Sequence, residues 1–137
     1  MTRHGSNDTL NVLFLDGYGC LSSEYIATLK DLGFNVINFS AEFSRLLETF
    51  QSLQRFGKYE VFCFLRWPAL ASFLKTENFR KQLIHIDGDI IFNADPAEIA
   101  DDVKGLTFIL QGCPGFATIT NYDWFECYYE ELTKIQP

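Results

Sequence analysis

The stretch "LIHIDGDIIF" (83 to 92) places Asp87 and Asp89 on either side of Gly88, between two apolar runs. Two carboxylates so close in sequence are hard oxygen donors, suited to a divalent cation such as Mg²⁺ or Mn²⁺. They converge on one ion only where the strand turns, because side chains two apart on a straight strand stand separate on one face. Gly88 permits that turn and lets a bulky ligand approach the backbone. The same letters also read as a hairpin, since Asp-Gly is a preferred pair for a two-residue loop. His85 alternates with Asp87 and can join the ion, or sit in the core bonded to a neighbour. Arg66 carries a fork of donors that matches a diphosphate, or a structural carboxylate.

The rest of the composition narrows the partners. With 11 Lys and Arg against 18 Asp and Glu the formal charge is −7, which removes the broad basic footprint expected of a nucleic-acid binder. A phosphate-bearing ligand then needs local help, and a cation held by two carboxylates gives it by screening the phosphates from them. Cys20, Cys63, Cys113 and Cys127 form no C-x-x-C pair, which reads as reduced thiols in a cytoplasmic protein. Cys113 in "GCPG" has no neighbouring His or basic residue to activate it, so thiol catalysis is not expected. No apolar stretch approaches the roughly 20 residues of a membrane-spanning helix.

Residues 1 to 10 are polar, have no apolar centre and read as a flexible leader. Residues 11 to 137, rich in Phe, are expected to form a single α/β domain. "NVLFLD" (11 to 16) reads as a buried strand. A helix follows it, capped by Ser22 or Ser23 and closed at Gly33, and "FNVINF" (34 to 39) is the next strand. Phe43, Leu46, Leu47, Phe50 and Leu53 recur at helical spacing from Ser40, with Gly57 as the stop. "YEVFCFLRWPALASFL" (59 to 74) admits a strand over Val61 to Leu65 or a helix beginning at Pro68, and is expected to be mainly helix near Arg66. "QLIHI" (82 to 86) is a strand running into the aspartates, and Asp95, Pro96 and Glu98 mark a helix start. "LTFIL" and "FATIT" read as strands around a bend, and Asn121 caps a last helix carrying Trp124, Tyr128, Leu132 and Ile135. This alternation predicts a mostly parallel central sheet flanked by helices, with ligands beyond the carboxyl ends of its strands.

Three segments, "FCFLRW", "LIHIDGDIIF" and "GFATITNYDW", occur in an order that resembles glycosyltransferases of the GT-A fold, in the glycogenin-like and lipopolysaccharide-sugar branches. There a helix with an Arg-aromatic or Arg-Leu pair precedes a strand ending in Asp-x-Asp, and a Gly-apolar strand leads on to a Trp-containing helix. The resemblance covers about residues 59 to 130. It implies a donor-binding site for a nucleotide-diphosphate sugar, with Arg66, Asp87, Gly88 and Asp89 at the donor and Asp87 and Asp89 on Mn²⁺ or Mg²⁺. Transfer of a hexose to an unknown acceptor (glycan, lipid-linked sugar or protein) would be the reaction. The family often has Asn where Cys113 stands, and its members continue well beyond the position of Pro137. The chain therefore resembles a truncated or reduced member, expected to bind donor but to transfer sugar poorly.

Two other readings compete. "FLDGYG" is similar to the aspartate loop of haloacid-dehalogenase-like phosphatases, with Asp16 as the phosphorylated residue, but Phe14 stands where that loop has another Asp. An α/β module that binds a nucleotide or a partner without chemistry is the third. Trp67 and Trp124 are read as packing residues in every case.

Overall fold

A computed structural model of the chain describes residues 10–79, 81–88, 96–109 and 115–135. The elements are β1 (Leu10–Phe14), α1 (Ser23–Asp31), β2 (Phe34–Asn38), α2 (Ser40–Thr49), α3 (Lys58–Thr76), β3 (Leu83–Ile86), α4 (Pro96–Asp102), β4 (Phe108–Ile109), β5 (Phe116–Ile119) and α5 (Asp123–Thr133). Short 3₁₀ turns at Tyr18–Cys20 and Gln51–Arg55 complete them.

Local chemistry explains most of these boundaries. Ser22 Oγ accepts from Tyr25 N at 3.1 Å and starts α1. Gly33, at φ 94°, takes the left-handed position after the C-terminal residue Leu32, where a side chain would be strained. Asn121 Oδ1 accepts from Asp123 N at 3.0 Å and turns the chain into α5, whose N-cap is Tyr122 rather than the expected Asn121. Pro96 opens α4 as the sequence predicts, while Asp95, the expected cap, lies outside the described residues. Gly57 departs from expectation. Helix α2 stops at Thr49, a 3₁₀ turn carries the fully buried Leu53, and Gly57 is the N-cap of α3. The apolar spacing runs on past the helix because a 3₁₀ turn, at three residues per turn, nearly keeps it.

The sheet also departs from expectation. The described strands do not form a mostly parallel central sheet: only β1 and β2 are parallel, with Leu10 opposite Phe34 and Phe14 opposite Asn38. Strands β3, β5 and β4 make a separate antiparallel sheet in that order. A parallel pair needs a crossover of a dozen or more residues, which α1 supplies between β1 and β2. The link from Ile109 to Phe116 is too short for one, so β5 turns back against β4. The architecture is α/β with small sheets.

Helix α3 is the organising element and runs unbroken through the stretch that the sequence left ambiguous. Its Val61, Leu65 and Ala69 join Phe43, Phe50, Leu53 and Leu132 in one core. Its Trp67, Phe73 and Leu74 join Ala117, Ile119 and Phe125 in another. A helix apolar on both sides belongs between two such cores. By contrast, no residue of β1, α1 or β2 is fully buried. Between α4 and β5, Gln82 Nε2 donates to Val103 O at 2.7 Å and to Thr118 Oγ1 at 2.6 Å, so the buried hydroxyl of Thr118 is satisfied.

Pro68 lies inside α3 rather than at its start. It has no N–H to give the carbonyl one turn back, that of Phe64. Tyr128 of α5 supplies the missing donor, its hydroxyl reaching Phe64 O at 3.1 Å. Burial pushes the Tyr128 phenol above its ordinary pKa, so it keeps the proton it donates. Tyr128→Phe is expected to cost about 1 to 3 kcal/mol by orphaning that carbonyl, and clearly less in a Pro68→Ala background that restores the backbone donor. Urea unfolding of the four proteins in this cycle measures the coupling; purely additive effects would show that the tyrosine does not replace the helix bond. Leu65→Ala, at a fully enclosed position, is expected to lower stability by about 2 to 5 kcal/mol in the same assay.

Candidate functional site

The end of β3 is met by the middle of α3. Asp87 follows Ile86, and its N–H extends the ladder by donating to Gly115 O at 2.7 Å. Arg66 of α3 donates through Nη1 to both carboxylate oxygens, at 2.8 Å to Oδ1 and 2.9 Å to Oδ2. Its Nη2 donates to Cys63 Sγ at 3.1 Å. His85 Nε2 lies 3.1 Å from Asp87 Oδ1, the two side chains, two apart at the end of the strand, sharing one face. Trp67, next to Arg66, presents its ring edgewise to His85 at 5.0 Å and to Trp124 at 5.2 Å. One helix thus holds the strand end by an ion pair and by an aromatic contact from adjacent residues.

The cluster is partly enclosed: the Arg66 side chain is 15% exposed and that of Asp87 34%. Burial pulls the Arg66 guanidinium down, but the bonds to Asp87 and Cys63 outweigh it and hold the group above its ordinary value. Burial pushes His85 below the ordinary 6.5; Asp87 opposes the push and Arg66 adds to it. The shift favours the neutral ring, whose Nε2 faces Asp87 Oδ1.

Of the residues expected at the donor, Arg66 and Asp87 are brought together. Asp89 lies outside the described residues, as do 90 to 95, where the second strand of a hairpin would fall, and Cys113. Gly88 shows no left-handed φ, and a Cβ built there meets nothing within 4 Å, so the turn itself does not require glycine. Among the described residues no three His, Cys, Asp or Glu side chains converge as a metal site. The oxygens of Asp87 suit a hard cation by type and partial exposure, but both are already taken by Arg66. Read from sequence, Cys63 has no role beyond that of a reduced thiol, although its place three residues before Arg66 puts both on one helix face.

Asp16 forms a separate pair. Its Oδ2 accepts from Lys58 Nζ at 2.9 Å and its Oδ1 from Gly17 N at 2.7 Å, which hold the carboxyl below its ordinary value. It borders a cleft of about 420 Å³ lined also by Ser40, Phe43, Phe56, Lys58 and Phe62. Lys58 and Arg66 lie on the same helix, about 12 Å apart along its axis. No helix among the described residues is long and apolar enough to cross a membrane. Comparisons of the chain with protein families, with curated proteins and with solved structures find no match.

The sign of the His85 shift is testable. A folded pKa below the unfolded one contributes stability that is present above about pH 6.5 and is lost as pH falls through the folded value. The imidazole resonance in a pH titration followed by NMR is expected to move with a midpoint below 6.5, and Asp87→Asn to lower that midpoint further by removing the favourable charge. A midpoint above 6.5 in the wild type would contradict the packing described.

Proposed function

We propose that the chain is the donor-binding part of a GT-A-type glycosyltransferase, taking a nucleotide-diphosphate sugar beside Asp87 at the carboxyl end of β3. The observation that carries this reading is the Arg66–Asp87 pair. An arginine on the helix before the strand meets the first aspartate of the Asp-x-Asp motif, and the Gly115-led β5 and Trp-bearing α5 follow in the chain order of the resemblance. Two residues expected at one site from sequence order alone are within hydrogen-bond distance.

In this reading Asp87 and Asp89 hold Mn²⁺ or Mg²⁺, which supplies positive charge to the donor diphosphate and to the leaving group. Arg66 provides a second positive charge, and its planar donors match phosphate oxygens. His85 and Trp67 fix the direction in which Asp87 points. The acceptor is a glycan, a lipid-linked sugar or a protein, and the reaction class is hexosyl transfer.

A second reading is favoured by the same contact. Asp87 is already neutralised by the chain's own groups, as in a structural ion pair of a non-catalytic α/β module that binds a nucleotide or partner. Calorimetry separates the two. Uridine and guanosine diphosphates are titrated into wild type, Asp87→Asn and Asp89→Asn, with and without Mn²⁺. Manganese-dependent binding that falls about tenfold or more in each variant, roughly 1.4 kcal/mol, is expected. Equal heats for wild type and both variants would sink the donor reading. An alkali- and hydroxylamine-labile phosphoenzyme on Asp16 would redirect the function to phosphoryl transfer.

A further inference from the structure

We propose that the groove between α3 and α5 docks a basic amphipathic helix of a partner protein, an interaction surface separate from the Asp87 site. The two helices run antiparallel, since Tyr128 reaches Phe64 while Trp124, earlier in α5, meets Trp67, later in α3. Pro68, Ala71 and Lys75 on α3 and Phe125 and Tyr129 on α5 line a groove of about 630 Å³ between them. Helix α5 is therefore apolar on two sides: Tyr128 and Leu132 serve the core around Leu65, while Tyr129, 39% exposed, opens on the groove.

Charge at the rim selects the occupant. Glu126 and Glu130 stand one turn apart on α5, both in the lining. Neither forms an ion pair with a described residue, and Lys134, whose charge Glu130 also feels, pairs with Glu131. Two carboxylates at that spacing match Lys or Arg four apart on a helix laid along them. Lys75, the cation in the lining, is on the α3 wall, so the partner's basic residues belong against α5. A helix also suits the floor: it satisfies its own backbone, whereas an extended segment meets no open strand edge between two helices. From Pro68 to Lys75, and from Tyr122 to Tyr129, the walls span about 10 Å, or roughly two turns, enough to seat the middle of a short helix. A second copy of the chain does not match, because no described helix carries two cations one turn apart. The net charge of −7 favours encounter with a basic partner.

Labelled synthetic helices of about 16 residues, Ala-rich so that they form alone, test the surface by fluorescence anisotropy. The first carries a stripe of Leu and Phe flanked by two Lys four apart, the second has Glu in place of the two Lys, and the third keeps Lys but has Ser in place of the apolar stripe. Wild type is expected to bind the first at least about tenfold more tightly than either of the others. Glu126→Lys combined with Glu130→Lys, both at exposed positions, is expected to lose about tenfold for the first helix and to prefer the second. Asp101→Lys combined with Asp102→Lys, exposed on α4, is expected to keep the wild-type preference. Circular dichroism checks that both variants are folded, and the comparison among the three helices on wild type stands without either. Equal binding of the first and third helices, no binding of any, or an unchanged preference after reversal of Glu126 and Glu130 would overturn the proposal. Self-association of wild type in sedimentation equilibrium that the Glu126 and Glu130 reversal abolishes would do so too, by giving the groove to a second copy.

Discussion

The burial of α3 on two sides is the constraint on which the remaining structure depends. A helix that exposes one face to solvent can be polar there, but α3 must satisfy the α2 and α5 core with Val61, Leu65 and Ala69 and the β5 core with Trp67, Phe73 and Leu74. Little of its length is left for charge. Of its three cations Lys58, Arg66 and Lys75, the first two each point at a carboxylate that follows a strand, Asp16 after β1 and Asp87 after β3. The helix that closes the cores is thereby also the one that supplies cations to the strand ends.

These two pairs differ in environment although they share a helix. Lys58 is 78% exposed and meets an exposed Asp16, so their attraction is screened by water and contributes little to stability. Arg66 is mostly enclosed, meets Asp87 beside the half-buried His85, and is oriented from the side by Cys63. Removing one partner there leaves a charge in a partly dehydrated place. Enclosure, rather than the presence of an ion pair, makes the end of β3 the place where losing a partner has consequences.

Local signals made much of the secondary structure legible. The Ser22 cap, Gly33 after α1, Pro96 at the start of α4 and the Asn121 turn are each decided by a few neighbouring atoms, and sequence spacing reports such features directly. Strand pairing was not legible in the same way. The letters of β3, β4 and β5 carry no mark of their partners, and the alternation of strands and helices suggested crossovers that the short link before β5 does not allow. Pro68 misled for a related reason: its missing donor is replaced by Tyr128, sixty residues on, and no local pattern announces that. At the site, the pairing of Arg66 with Asp87 was open to inference from order along the chain. The thiol that turns the guanidinium was visible only as helix spacing, and the geometry of Asp89 lies outside the described residues.

The absence of any fully buried residue from β1, α1 and β2 has a consequence for how the molecule opens. Resistance to local opening follows the apolar surface that opening exposes, and here that surface is slight beside that enclosed around α3. The parallel pair is joined by its own ladder and by the Asn11–Asn35 side-chain bond at 3.0 Å, interactions that water can replace. This unit, tied to the second core through the partly buried Leu13 and Ile37, is therefore expected to open more readily than the elements around α3, with its amide hydrogens exchanging before those of α3 and β5. Partial opening would carry Asp16 away from Lys58 while leaving Asp87 against Arg66, so the two strand-end carboxylates answer to different free energies within one small chain.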